Sequence, residues 1–304
     1  MRGLAQIVMK GRVQAIMSVT VLAILSLLLA PLSLLSGSAA GLVTLRHGPQ
    51  EGMLVIIASS VASSILSYLL FADVMPAMVF ILALWLPVWL LASLLRYSRS
   101  LGLVIQATLA ISLLVVGYFY LFIGDASAFW EGVIKEPLQM FVDSGQLEAS
   151  GQDFDKILMA LSSWMTAIMA TGFLLQMVVV IFIARWWQAL LFNPGGFGEE
   201  FRQMSYHQGL TFLAAPVLLW VLLGEPPEWL IAVGKLMLVT YFLLGLAVTH
   251  ALLKRINANV VWITGIYVLL LIAMPYVMTA LAMTGFTDSW MNFRKNVPSS
   301  KEGD

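Results

Sequence analysis

The sequence predicts an all-α protein, a polytopic bundle of eight or nine membrane-crossing helices, and three observations carry that prediction. Hydrophobic residues make up 61% of the 304 and charged residues 11%, against roughly 45–50% and about 25% in soluble domains. Several apolar runs are long enough to cross about 30 Å of hydrocarbon as a helix. None of them shows the strict alternation of a lipid-exposed strand, and irregular backbone cannot face lipid, so the crossings must be helical.

The runs follow in order. Residues 15–31 end near Pro31, and a shorter run, 33–45, contains Gly37 and Gly41. The two form either a helical hairpin or one broken helix, which leaves the count at nine or eight. Runs at 53–71, 77–95 and 101–123 complete an N-terminal bundle, 1–123. Residues 124–160 are too polar to span. Phe129, Trp130, Val133, Ile134, Phe141 and Val142 recur there at helical spacing, which predicts an amphipathic surface helix. Ser150 to Asp153 reads as a capping box opening the next helix. A second group, 161–284, holds runs at 161–187, 209–223, 229–252 and 258–284, followed by a polar tail, 285–304. Pro49 with its glycines, Arg96 to Arg99, Pro194, Pro226-Pro227 and Lys254-Arg255 punctuate the gaps. The first run is about 20 residues, longer than the 7–15 of a signal-peptide core, and reads as a retained helix.

Lysine and arginine mark the cytoplasmic side of a membrane protein. With nine crossings and a cytoplasmic N-terminus, Arg2, Lys10, Arg12, Arg46, Arg96, Arg99, Arg185, Arg202, Lys254 and Arg255 all lie inside. The 124–160 segment, with seven acids against Lys135 and Lys156, then lies outside. The pattern fits a cytoplasmic N-terminus, with one misfit: Arg294, Lys295 and Lys301 of the tail fall on the outer side.

Zero net charge offers no basic face for nucleic acid. The absence of cysteine removes thiolate chemistry, and His47, His207 and His250 are too scattered for a metal motif. No cofactor is implied. No Ser/His/Asp or paired-carboxylate arrangement can be assembled, so the chain is not expected to be an enzyme. The lipid bilayer is the one partner that composition demands.

The stretch ARWWQALLFNPGGFGEEF, 184–201, invites a nucleotide reading and fails it. It lacks the lysine of a phosphate loop, and Glu199 and Glu200 would repel phosphate. It predicts an elbow instead. Trp186 and Trp187 sit at headgroup depth. Asn193-Pro194 stops the helix, and Gly195, Gly196 and Gly198 take angles that side chains forbid. Phe197 and Phe201 are left to dip into the interface or a partner.

Polar groups inside the spans are few. Asp73, Gln176 and Lys235 are the candidate small-molecule ligands, the ligand itself being unknown. The competing reading has Lys235 snorkelling or pairing with Glu228, and Gln176 joining two helices by a hydrogen bond. Gly37 and Gly41, and Ala58 and Ala62, give small-residue faces that suit either packing within the bundle or a membrane-protein partner.

The turn LVTLRHGPQEGMLV, with Arg46, His47, Gly48, Pro49 and Gly52, and the stretch from Trp186 and Trp187 through Phe201 together resemble the YybS-like family of bacterial membrane proteins, over nearly the whole chain. Through its first half that family is similar to the substrate-binding components of energy-coupling-factor transporters, and more distantly to the rod-shape protein MreD. The resemblance implies a short second helix ending in a Gly-Pro-x-x-Gly turn, and a small-molecule-binding or transporter-component role. An envelope scaffold of MreD-like type is the alternative. The sequence departs from the transporter pattern in lacking a clean AxxxA in its first span and in carrying the acidic segment and about three further spans.

Overall fold

In the computed structural model, which describes residues 1–147 and 151–296, every regular element is a helix. They are α1 (Arg2–Val8), α2 (Arg12–Ser26), α3 (Leu32–His47), α4 (Pro49–Phe71), α5 (Met75–Ser98), α6 (Leu101–Ile123), α7 (Ala126–Asp143), α8 (Gln152–Phe192), α9 (Gly196–Arg202), α10 (Gln208–Leu223), α11 (Glu228–Arg255), α12 (Val260–Ile272), α13 (Met274–Met291) and α14 (Phe293–Asn296). Five of them, α4, α5, α6, α8 and α11, are long and apolar enough to cross a membrane. The chain is a helical protein built for a bilayer. Ser150 of the anticipated capping box, and Lys301 of the tail, lie outside the described residues.

The helices form two compact units. One holds Met1–Thr108 with Leu175–Ser205, and the other holds Leu109–Leu174 with the described residues from Tyr206 onward.

At the centre of the first unit is α3. Every residue from Ser36 to Leu45 is buried, which needs neighbours on all sides, and small side chains let helices come that close without a hydrophobic driving force. A Cβ on Gly37 would lie 3.0 Å from both Leu84 and Val180, and one on Gly41 3.1 Å from Ala184. This small-residue face is therefore covered within the unit. On α4 the buried small face is Ser59, Ser63 and Ser67, and Ala58 and Ala62 sit half-exposed at its margin. Helices α2 and α3 are separate and pack on each other, so 15–45 is a hairpin. Its core is tied by polar bonds: the Trp85 indole donates to Ser36 Oγ at 3.1 Å, and Ser36 donates on to the Val19 carbonyl at 2.8 Å. Trp85 ends a π-helical stretch, Phe80–Trp85, just before Pro87. Proline removes a backbone donor and crowds the preceding turn, and widening that turn relieves the crowding.

In the second unit α7 opens on Asp125, whose carboxylate accepts from the Ala128 amide at 2.9 Å. It is held by Trp130, which donates to Thr166 Oγ1 at 2.8 Å, and by Ser127, which donates to Glu228 at 2.9 Å. The segment expected to hold an amphipathic helix is helical from Ala126 to Asp143, with only Ala126 and Leu138 buried.

The run 258–284 is not one helix. It breaks at Ala273 (φ −127, ψ 44), two residues before Pro275 in the first turn of α13. Tyr267 of α12 meets His250 of α11 at 3.3 Å, so α12 runs back along α11. Helix α13 then reverses. Gly245 and Gly285 cross so closely that a Cβ on either would collide with backbone, at the Leu281 and Tyr241 carbonyls respectively. Beyond this crossing Arg255, ending α11, donates to the Arg294 carbonyl just past α13. Helices α11 and α13 are thus parallel, and Arg294 lies at the Lys254-Arg255 end.

Candidate functional site

The two stretches singled out in the sequence meet at one end of the first unit. The first is the turn between α3 and α4. Gly48 takes φ +108, a region that disfavours side chains, and Pro49 then starts α4 with its φ already helical. Gly52 follows one turn later, where a Cβ would collide with Thr44 Oγ1. Both spacings are needed to fold α4 tightly back on α3.

Three side chains from other helices hold this turn. Arg96 Nη1, near the end of α5, donates to the Leu45 and Arg46 carbonyls at 2.5 and 3.0 Å. Trp89 donates to the Pro49 carbonyl at 2.8 Å, and Gln188 of α8 donates to the Leu45 carbonyl at 3.2 Å. Helix C-termini leave carbonyls without intrahelical partners, and a guanidinium there satisfies them and complements the negative end of the helix dipole.

The second stretch is the elbow after α8. Helix α8 ends at Phe192, Gly195 takes φ +89, and α9 begins at Gly196. Only Gly195 uses a left-handed angle. Gly196 and Gly198 are helical; Gly196 is buried, and a Cβ there would collide with the Asn193 side chain. Arg185 closes the elbow by a two-pronged ion pair with Glu200, Nε to Oε2 at 2.8 Å and Nη2 to Oε1, and its Nη1 donates to Gln188 at 3.1 Å. Phe197 and Phe201 pack edge-on against Phe182, with ring centroids 5.5 and 5.7 Å away. The half-buried aromatics therefore fasten α9 to α8. Trp187 is fully buried within the unit, and Trp186 is 38% exposed. Arg46 lies over the Phe192 ring at 4.0 Å, joining turn to elbow.

Between them is a cavity of about 460 Å³ with Leu45 and Leu95 in its lining, together with Arg96, Arg99, Arg185 and Glu200. A second cavity of about 380 Å³ at the same turn is lined by His47, Arg12 and Glu51, the last two paired at 2.6–2.8 Å. Sequence reading placed Arg96, Arg99 and Arg185 on one side of the membrane but did not join them. The signal was present: each stands at or near the end of an apolar run that the charge pattern brings to the same side.

Asp73, Gln176 and Lys235 are placed apart from this cavity's lining. Asp73 organises the turn before α5, accepting from the Met75 amide at 2.9 Å, and its carbonyl accepts from Ser67 at 2.7 Å. Gln176 is half-buried. Lys235, in the second unit, lies 4.1 Å over the Trp164 ring. Its expected partner Glu228 is taken by Ser127 instead. A charged pair that the sequence did not single out also lies in that unit. Asp288 is 1% exposed and accepts from Arg294 at 2.9 and 3.1 Å, with one carboxylate oxygen left without a partner. It was missed because the run was ended at 284, whereas α13 continues to Met291.

No protein-family model, curated protein or solved structure matches this chain.

Proposed function

We propose that the chain is a non-catalytic binding component of the bacterial cytoplasmic membrane, of the kind found in transporters, and that it takes its ligand at the cytoplasmic end of the first unit. One observation carries this reading: the arginine-lined cavity between turn and elbow, a recess built by residues from four helices. The resemblance to the YybS-like family supports the same role. The basic residues at this end support a cytoplasmic orientation. Eight crossing helices (α2, α3, α4, α5, α6, α8, α10 and α11), followed by α12 and α13 entering and returning, put α1 and α14 on that side. Helices of 15 and 16 residues such as α2 and α3 fall short of the hydrocarbon thickness, and local bilayer thinning accommodates them.

The test is purification in a mild detergent, with mass spectrometry of bound small molecules, lipids and proteins. The wild-type chain should retain a small molecule or lipid that an Arg99→Asn variant loses. A stoichiometric protein partner with no bound small molecule or lipid would replace this reading with the envelope-scaffold one.

A further inference from the structure

The geometry points to a phosphate-bearing anion as the ligand of the arginine cavity, an inference that rests on the binding reading above. The donors divide unevenly. Arg185 is spent, with Nε and Nη2 on Glu200 and Nη1 on Gln188. Arg96 makes both of its carbonyl bonds with one nitrogen, Nη1. Its Nε–Nη2 edge, the side-on fork that Arg185 uses to grip a carboxylate, has no partner among the described residues. Arg99, three residues on, is exposed, and its guanidinium likewise has none.

Three arginines against one glutamate leave the lining with a net charge of plus two, and Glu200 is already neutralised by Arg185. A planar fork beside a second guanidinium matches the oxygens of a phosphate group. Simple charge sorting would let these arginines fan outward into headgroups. Here Arg96 is instead fixed by the α3 carbonyls, so its free edge is oriented before any ligand arrives, which lowers the entropic cost of binding. The cavity lies at the ends of α3, α5 and α8, with Trp186 exposed nearby in sequence, and basic recesses between the cytoplasmic ends of membrane helices bind anionic lipid headgroups. A phospholipid phosphate and a soluble phosphate ester share this chemistry.

The test uses the full chain in dodecyl maltoside at low salt, following Tm by tryptophan fluorescence. The probes are inorganic phosphate, dioctanoyl phosphatidylglycerol, uncharged dioctanoylglycerol and the dicarboxylate glutarate. Arg99→Asn is the variant because Arg99 sits at φ +52, a region asparagine tolerates best among residues with side chains, so its Tm without ligand should match wild type. A phosphate-bearing probe should raise Tm, and Arg99→Asn should weaken its apparent affinity by about tenfold, the equivalent of one charged contact. A rise with phosphatidylglycerol alone identifies a lipid, and a rise with inorganic phosphate as well identifies a soluble ester. No rise with either, an equal rise with glutarate, or an unchanged affinity in Arg99→Asn overturns the inference. A co-purifying uncharged ligand combined with no anion effect would sink this inference and leave the binding reading standing.

Discussion

Arg96 holds Leu45. Its guanidinium donates to that carbonyl at 2.5 Å across 51 residues of sequence, and in doing so ties the end of α5 to the end of the buried central helix α3. The bond is charge-assisted and sits where helix carbonyls lack partners, so it stabilises more than an average hydrogen bond.

Arg96→Met should therefore lower stability by about 1–2 kcal/mol, the loss of a charge-assisted bond to a carbonyl that keeps Gln188 as its second donor. A thermal melt in detergent measures it. Arg96→Lys should recover part of the loss, because one ammonium still reaches a carbonyl. A Met variant that melts like wild type would show that the clamp is incidental.

The α11–α13 crossing yields a sharper contrast. Gly245→Ala and Gly285→Ala each drive a Cβ into backbone, whereas Gly172→Ala meets nothing within 4 Å. The first two should each cost about 1–3 kcal/mol or more through overpacking, and Gly172→Ala should be neutral or slightly stabilising, since alanine favours a helix interior by about 1 kcal/mol. Folded yield by size-exclusion chromatography separates these cases.

At the elbow, Gly195→Ala forces a side chain into a left-handed angle and should cost about 1–2 kcal/mol. Glu200→Gln should cost more than a surface ion pair would, because the Arg185 side chain is only 14% exposed and would be left short of its partner. Exchanging the pair, Arg185→Glu with Glu200→Arg, should restore part of the stability. Equal melting of Glu200→Gln and wild type would mean the ion pair is not what closes the elbow.

Topology makes the fourth prediction. Reporter fusions at Gly145 should read external, and fusions at Gly196 and at the C-terminus should both read cytoplasmic. The last follows from Arg294 lying at the Arg255 end of α11. An external C-terminal reading would contradict the returning α12–α13 pair.

Asp288→Asn should weaken the docking of α13, because the Asp288–Arg294 pair is the charged tie at the end of that helix. The expected cost is about 1–3 kcal/mol, the loss of a charge-assisted bond to a buried carboxylate, read as faster proteolysis near residue 292 and a lower Tm.

The sequence by itself determined that this chain is helical and belongs in a bilayer, because length, hydropathy and the need to satisfy every backbone group leave no other option. It also placed the Gly48–Pro49 turn and the end of α8 at Phe192, since proline and glycine act through their own backbone geometry and need no distant partner. Tertiary structure decided the rest. That Trp187 would be fully buried depended on what packed against α8, and the contact of Phe197 and Phe201 with Phe182 depended on α9 folding back on α8. That Arg96 would spend one nitrogen on Leu45 and keep an edge open could not be read from spacing, because the two are joined only when α3 and α5 lie side by side. The reversal at Ala273 was hidden for the same reason: hydropathy reads through a break, and only the close passage of Gly245 and Gly285 fixes the direction in which α13 returns.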